Sequence, residues 1–128
     1  MDFKDNQAIY LQIADYVCDR ILLGQWTPGD RIPSVRDLGG ELEVNPNTTM
    51  RAYEVLQQKG IIFNKRGIGY FAAEEAKDRI LSYRREQFLE NELPAFFRNL
   101  YLLNIPIEEI ERKYRSFVEA EFSPGQTK

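Results

Sequence analysis

The stretch Glu41–Gly60, ELEVNPNTTMRAYEVLQQKG, decides how this chain folds. Val44-Asn45-Pro46 breaks whatever precedes it, because a residue before proline is pushed out of the helical region. Pro46 suits the first position of a new helix, where its missing N–H has no intrahelical partner, and Asn45 can cap that helix with its side-chain oxygen. The spacing predicts a helix over 46–59 with Thr49, Ala52, Tyr53 and Leu56 facing inward and Gly60 as its stop. Its tip is the unusual part. Capping accounts for Asn45 but does not need Asn47 and Thr48 as well. A polar tip followed by an abruptly apolar body suits a helix whose tip enters something else.

Upstream, Ser34 opens a second short helix, with Asp37 three residues on in a weaker form of the capping box. Val35, Leu38 and Leu42 face the core. Gly39 and Gly40 lie inside this helix, where each is unfavourable by about 1 kcal/mol against alanine, and close helix–helix approach is one physical use for them. Further upstream, Ile9, Ile13, Val17 and Ile21 recur every four residues and, with Leu22, predict a first helix over 7–23 that stops near Gly24. The segment GQWTPGDRIP, 24–33, reads as a linker with a turn at Pro28-Gly29 and Trp26 as a packed anchor. Downstream the period changes. IIFNKRGIGYFAA, 61–73, predicts strands over 61–64 and 69–72 joined by Lys65-Arg66-Gly67-Ile68. Three helices with a tight turn between the second and third, then a hairpin, describe a winged helix-turn-helix in a mainly α chain.

From Glu74 the chain is helical again. Ile80, Leu81, Phe88 and Leu89 predict an apolar seam, which Pro94 interrupts or restarts. Leu93, Phe96, Phe97, Leu100, Tyr101 and Leu103 continue it. Asn104-Ile105-Pro106 reads as a turn, and Ile107, Ile110, Tyr114, Phe117 and Val118 mark a last helix over 106–121. The expected organisation is a winged domain over 1–73, a short all-helical region over 74–122 and a disordered tail over 123–128. The helical region is too short for a roomy ligand pocket of its own, yet it has many aromatics to bury. Self-association as a homodimer satisfies them; packing back on the winged domain is the alternative.

Composition narrows the chemistry. The 128 residues are 43% hydrophobic and 29% charged, with a net charge of -3. Residues 1–72 carry eight basic and nine acidic side chains, so neither half is strongly basic and any nucleic-acid footprint must be local. There is no histidine and one cysteine, Cys18, which removes the commonest general base and metal ligand and makes a zinc site and a disulfide framework improbable. No phosphate loop, nucleophile elbow or paired-carboxylate motif is present, and Glu108, Glu109 and Glu111 read as a solvated face. No catalytic residue, metal or cofactor is expected. No apolar run is long enough for a bilayer, and the first ten residues lack a signal-peptide pattern, so the expected location is the cytoplasm, without a membrane partner.

The helix tip and hairpin carry the functional expectation. In a helix-turn-helix the second helix enters the major groove tip first. Asn45, Asn47 and Thr48 there can reach phosphates or base edges, and unpaired N–H groups at the tip favour a phosphate. Arg36, near the start of the second helix, has two readings: a surface ion pair with the Asp37–Glu41 neighbourhood, or a contact to guanine or phosphate. Arg51 lies one turn into the third helix on its polar side, with Met50 beside it. A tight hairpin turn needs Gly67 and Gly69 but not the paired cations Lys65 and Arg66, which suit a wing laid on a phosphate backbone or minor groove. Tyr70 is expected half-packed on the wing, within reach of a phosphate. The competing reading keeps the fold as a protein-interaction module without DNA binding.

Taken together, PGDRIPSVRDLGGELEVNPNTTMRAYEVLQQKGIIFNKRGIGYFAA resembles the DNA-binding domain of the GntR family of bacterial transcription regulators, and the NPNT phrase with the short helical tail resembles its YtrA subfamily. The resemblance implies base or phosphate contact for Arg36 and places Asn45, Asn47 and Thr48 at the start of the recognition helix. It aligns Arg51 with a basic residue of that helix and Gly67 and Gly69 with the wing tip, flanked by Lys65 and Arg66. Pro46 and Met50 stand where many family members carry arginines, Gly39-Gly40 replaces an alanine-containing phrase, and Tyr70 replaces a common threonine. The resemblance further implies a homodimeric repressor on double-stranded operator DNA, often at a transporter operon. The dimer faces are expected around Phe88, Phe96, Leu100, Ile110 and Phe117, and a small-molecule effector in a dimer crevice is allowed.

Overall fold

Helix α1 (Ile9–Leu22) buries Ile13, Val17 and Ile21, together with Gln12, Ala14 and Cys18. The structure is a computed structural model and describes Phe3 and residues 7–122. The stripe on α1 is shorter than its spacing predicts, since Ile9 in the first turn is 45% exposed and Leu22 points away from the core. Helix α2 (Val35–Leu42) starts where the sequence places it: Ser34 Oγ accepts the Asp37 N–H at 3.0 Å. It ends at Glu43, whose φ of 58° turns the chain, and the Val44 N–H then donates back to the Gly39 carbonyl at 2.9 Å. Helix α3 (Pro46–Gln58) follows, and all four expected inward residues, Thr49, Ala52, Tyr53 and Leu56, are fully buried.

The two glycines of α2 separate in role. A Cβ on Gly39 would stand 3.2 Å from both Thr49 Oγ1 and the Val44 carbonyl oxygen, so its bare backbone lets α3 and the turn approach. A Cβ on Gly40 would meet nothing within 4 Å, so close approach does not explain the second glycine.

Strands β1 (Ile62–Lys65) and β2 (Gly69–Ala72) pair antiparallel, Ile62 opposite Ala72 and Lys65 opposite Gly69. β1 starts one residue later than the pattern predicts, because the Ile61 N–H is held in the turn by the Leu56 carbonyl at 3.0 Å. The segment read as a linker is more ordered than that. Gly29 donates to the Ala72 carbonyl at 2.8 Å, Ala72 donates to Asp30 at 3.0 Å, and Ile32 donates to Tyr70 at 2.9 Å. Arg31 thereby bridges Phe71, adding a short third edge to the hairpin. Pro28 and Pro33 bracket so short a segment that no alternation marks it in the sequence.

Helix α4 (Ala76–Asn91) contributes Ala76, Ile80 and Tyr83 to the same core. Arg84 Nη2 ties it to α1 by donating to the Asp19 carboxylate at 2.8 Å and the Asp15 carbonyl at 3.3 Å. Burial lowers the pKa of that guanidinium, but the Asp19 hydrogen bond, with Cys18, Asp19 and Asp15 nearby, outweighs it and leaves the pKa raised. The expected seam of Ile80, Leu81, Phe88 and Leu89 is not continuous: Ile80 is fully buried, whereas Leu81, one position round the helix, is 70% exposed. The chain forms two compact units, Met1–Arg85 and Glu86–Lys128, dividing within α4. The second unit holds α5 (Leu93–Leu102), with Pro94 in its first turn, and α6 (Ile107–Phe122). Neither α5 nor α6 has a buried residue. The tail expected over 123–128 lies outside the described residues. Among the described residues no helix is long and apolar enough to cross a membrane.

Candidate nucleic-acid interface

The tip of α3 is built by Asn45. Its Oδ1 accepts the Asn47 N–H at 2.8 Å, and its carbonyl accepts the Thr48 and Thr49 N–H groups at 3.0 and 3.1 Å. Asn45 and Asn47 are exposed, as is Met50 one turn on, while Thr48 is half-buried. Arg36, in the first turn of α2, is also exposed and forms no ion pair with a described residue. Arg51 is exposed but engaged: its guanidinium carbon stands 4.0 Å from the centre of the Tyr10 ring on α1, an attraction between a cation and the negative face of an aromatic ring.

The hairpin tip closes through glycine. Gly67 has a φ of 80° and Gly69 a φ of 141°, both in the region that side chains resist, and the Ile68 N–H returns to the Lys65 carbonyl at 2.9 Å. Lys65 and Arg66 are exposed beside this turn. Lys65 Nζ lies 4.6 Å from the centre of the Phe71 ring, which stacks on Phe63 with centres 5.6 Å apart.

Tyr53 and Tyr70 join the helix tip to the wing. Tyr70 is half-buried, its ring meets Tyr53 edge-on at 4.9 Å, and its hydroxyl donates to Met50 Sδ at 3.9 Å. The Tyr53 hydroxyl donates to the Pro33 carbonyl at 2.7 Å, so one buried tyrosine on α3 touches both the wing and the segment leading into α2. Burial pushes the Tyr53 pKa well above its ordinary 10.0, with Tyr70, Asp37 and Glu41 adding in the same direction. The sequence marks Tyr53 as core, but its hydroxyl's partner is 20 residues away and leaves no local signal. Arg31 is the other residue that sequence reasoning passes over, because its pairing with Phe71 is visible only in the fold.

The residues expected at a dimer face lie in the second unit. Phe88, Phe96 and Phe117 are exposed, and Leu100 and Ile110 are half-buried. Phe96 and Phe97 sit with ring centres 6.3 Å apart, and Phe97, Tyr101 and Tyr114 are exposed as well.

The profile of the bacterial regulatory proteins of the gntR family matches residues 9–71, which span α1 to β2. YhcF of Bacillus subtilis (strain 168), an uncharacterized HTH-type transcriptional regulator, is 34% identical over 117 residues, covering 91% of this chain and 95% of YhcF. The HTH-type transcriptional repressor YtrA of the same organism is 31% identical, covering 86% of this chain and 84% of YtrA. The crystal structure of a GntR-family regulator from Bacteroides thetaiotaomicron superposes with a TM-score of 0.74 at 56% identity, covering 89% of this chain and 99% of that one. The DNA-binding domain of AraR, crystallised with its operator ORR3, matches with a TM-score of 0.51 at 25% identity, over 57% of this chain and 86% of that one. With its winged fold, its polar helix tip and relatives matched nearly end to end, the chain belongs to the GntR family, as a YtrA-like transcriptional regulator with a DNA-binding helix-turn-helix domain and not an enzyme.

Proposed function

We propose that this chain is a homodimeric repressor that sets two winged domains on double-stranded operator DNA, each α3 in a major groove and each wing on the flanking backbone. The observation that carries this reading is joint exposure. The α3 tip, with Asn45 and Asn47, and the wing, with Lys65 and Arg66, are both open, and the contact of Met50 with Tyr70 makes them neighbours. Arg36, Asn47 and Thr48 contact base edges or phosphates; Arg51, Lys65, Arg66 and Tyr70 hold phosphates; Gly67 and Gly69 let the wing backbone approach. The operator in AraR's complex supports duplex DNA as the partner, and the repressor activity in YtrA's name supports the sign of regulation. The YtrA-like resemblance extends this to a transporter operon and a cytoplasmic location, with room for a small-molecule effector.

One observation supports the homodimer. α5 and α6 have no fully buried residue in the single chain, although they carry Phe96, Phe97, Leu100, Tyr101, Ile110 and Phe117. Short helices with unburied apolar faces are marginal in water and gain their stability from packing. A second copy supplies that packing and repeats the DNA-binding head, matching a two-fold operator.

The test is selection of bound duplex fragments from genomic DNA by the purified protein, with its mass in solution measured alongside. The expected result is a palindromic consensus and a dimer mass. Lys65→Ala with Arg66→Ala lowers affinity on every sequence and flattens the salt dependence by about one unit of slope per lost phosphate contact. Asn47→Ala instead relaxes preference at a few positions. Tight operator binding that survives both changes refutes the site assignment.

A further inference from the structure

Arg31 occupies a place unusual for a side chain in a connecting segment. Its bridge to Phe71 sets its register in the sheet. Phe71 pairs with Phe63, and Gly69 pairs with Lys65. Directly paired residues and residues two apart share a face of a sheet, so Arg31, Lys65, Phe63, Phe71 and position 69 lie on one face. The guanidinium extends over Gly69: a Cβ there would come within 2.9 Å of Arg31 Nε, 3.2 Å of Nη2 and 3.3 Å of Cζ. Glycine at 69 therefore provides both its φ of 141° and the space the guanidinium fills. From β1, on the other side of β2, Lys65 lies on the same face, with Nζ 4.6 Å from the centre of the Phe71 ring. Arg31 and Lys65 thus put two cations on one face of the wing, and neither they nor Arg66 forms an ion pair with a described residue. An anion over that face would meet both charges.

We infer that Arg31 is a phosphate-binding residue of the wing, acting with Lys65 to hold one backbone phosphate of the duplex beside Gly69. The planar guanidinium suits two phosphate oxygens at once, whereas Lys65 supplies a point charge. This rests on the duplex-binding reading above, and the test separates the two. The full chain is titrated with a mixed-sequence duplex of about 30 base pairs, long enough for two half-sites, at several salt concentrations, with thermal unfolding in parallel. Arg31→Gln lowers affinity about tenfold and flattens the plot of log K against log salt by about 0.9 per docked protomer. Arg31→Lys keeps most of the slope while weakening binding, because the charge remains and the fork is lost. Both variants keep the unfolding midpoint of the parent. An unchanged slope for Arg31→Gln overturns the inference, as does a fall in midpoint large enough to explain the lost binding. Failure of the parent protein to bind the duplex at low salt removes the duplex-binding reading and this inference with it.

Discussion

Alanine at Gly39 and alanine at Gly40 are the same chemical change one residue apart, in the same helix, and they should act oppositely. Each removes a glycine from a helix, which favours folding by about 0.5–1 kcal/mol. At Gly40 the new methyl meets nothing within 4 Å, so that gain is retained. At Gly39 it lands 3.2 Å from Thr49 Oγ1 and 3.2 Å from the Val44 carbonyl oxygen, with the Pro46 Cα at 3.7 Å. Thr49 is fully buried, and the Val44 N–H is already bonded to the Gly39 carbonyl at 2.9 Å, so neither neighbour yields without moving the turn. Overpacking of this kind costs about 1–3 kcal/mol. The two variants should therefore differ by about 1–3 kcal/mol, with Gly40→Ala above the parent and Gly39→Ala at or below it. For a unit of this size each kcal/mol moves the midpoint by about 4–8 °C. The assay is thermal and urea unfolding of both variants at equal protein concentration, because the proposed self-association would make the midpoint concentration-dependent. Operator binding should fall for Gly39→Ala alone, since the turn sets where the α3 tip points. A Gly39→Ala variant as stable as Gly40→Ala would refute the claim that close packing fixes this turn.

Two further outcomes follow from buried groups. Tyr53→Phe leaves the Pro33 carbonyl without its 2.7 Å donor and should lower urea stability by about 1–3 kcal/mol, whereas Tyr70→Phe, losing only a weak 3.9 Å bond to sulfur, should change it by less than about 0.5 kcal/mol. Stability should also decline under alkaline conditions: burial pushes the Cys18 thiol up from 9.0 to about 12 and the Tyr83 hydroxyl up from 10.0 to about 12. Both groups hold their protons longer folded than unfolded, so their contribution is complete below pH 9.0 and is lost as pH rises toward about 12. Urea midpoints measured across that range should fall, and Cys18→Ala should flatten the part that begins near 9.0.

The helices of the first unit are legible in the sequence because their signals are local. Ser34 and Asn45 cap the helices they precede, and the inward face of α3 follows from its spacing alone. What the sequence hides is set by pairing across distance. The Gly29–Ile32 edge of the sheet has no alternation of its own and is defined by its bonds to Tyr70 and Ala72. The Arg51 guanidinium reads as part of a polar helix face, yet it rests on Tyr10, 41 positions away in the chain. Ile80 and Leu81 look alike as neighbours in an apolar seam, but successive helix positions diverge by about 100°, and only Ile80 reaches the core.

A net charge of -3 and a DNA-binding domain are compatible because charge at a surface depends on which groups are already engaged. Arg84 is paired with Asp19 and Arg115 with Glu111. Arg36, Lys65 and Arg66 form no ion pair with described residues and stand at α2 and the wing, on either side of the α3 tip in sequence. A footprint of so few cations binds weakly by itself, since nonspecific affinity scales with the phosphates neutralised. Joining two such heads turns the second encounter into an intramolecular one at an effective concentration in the millimolar range. In the proposed homodimer the apolar faces of α5 and α6 would be part of the DNA-binding mechanism: by pairing two weak heads they would supply affinity that the local charge cannot.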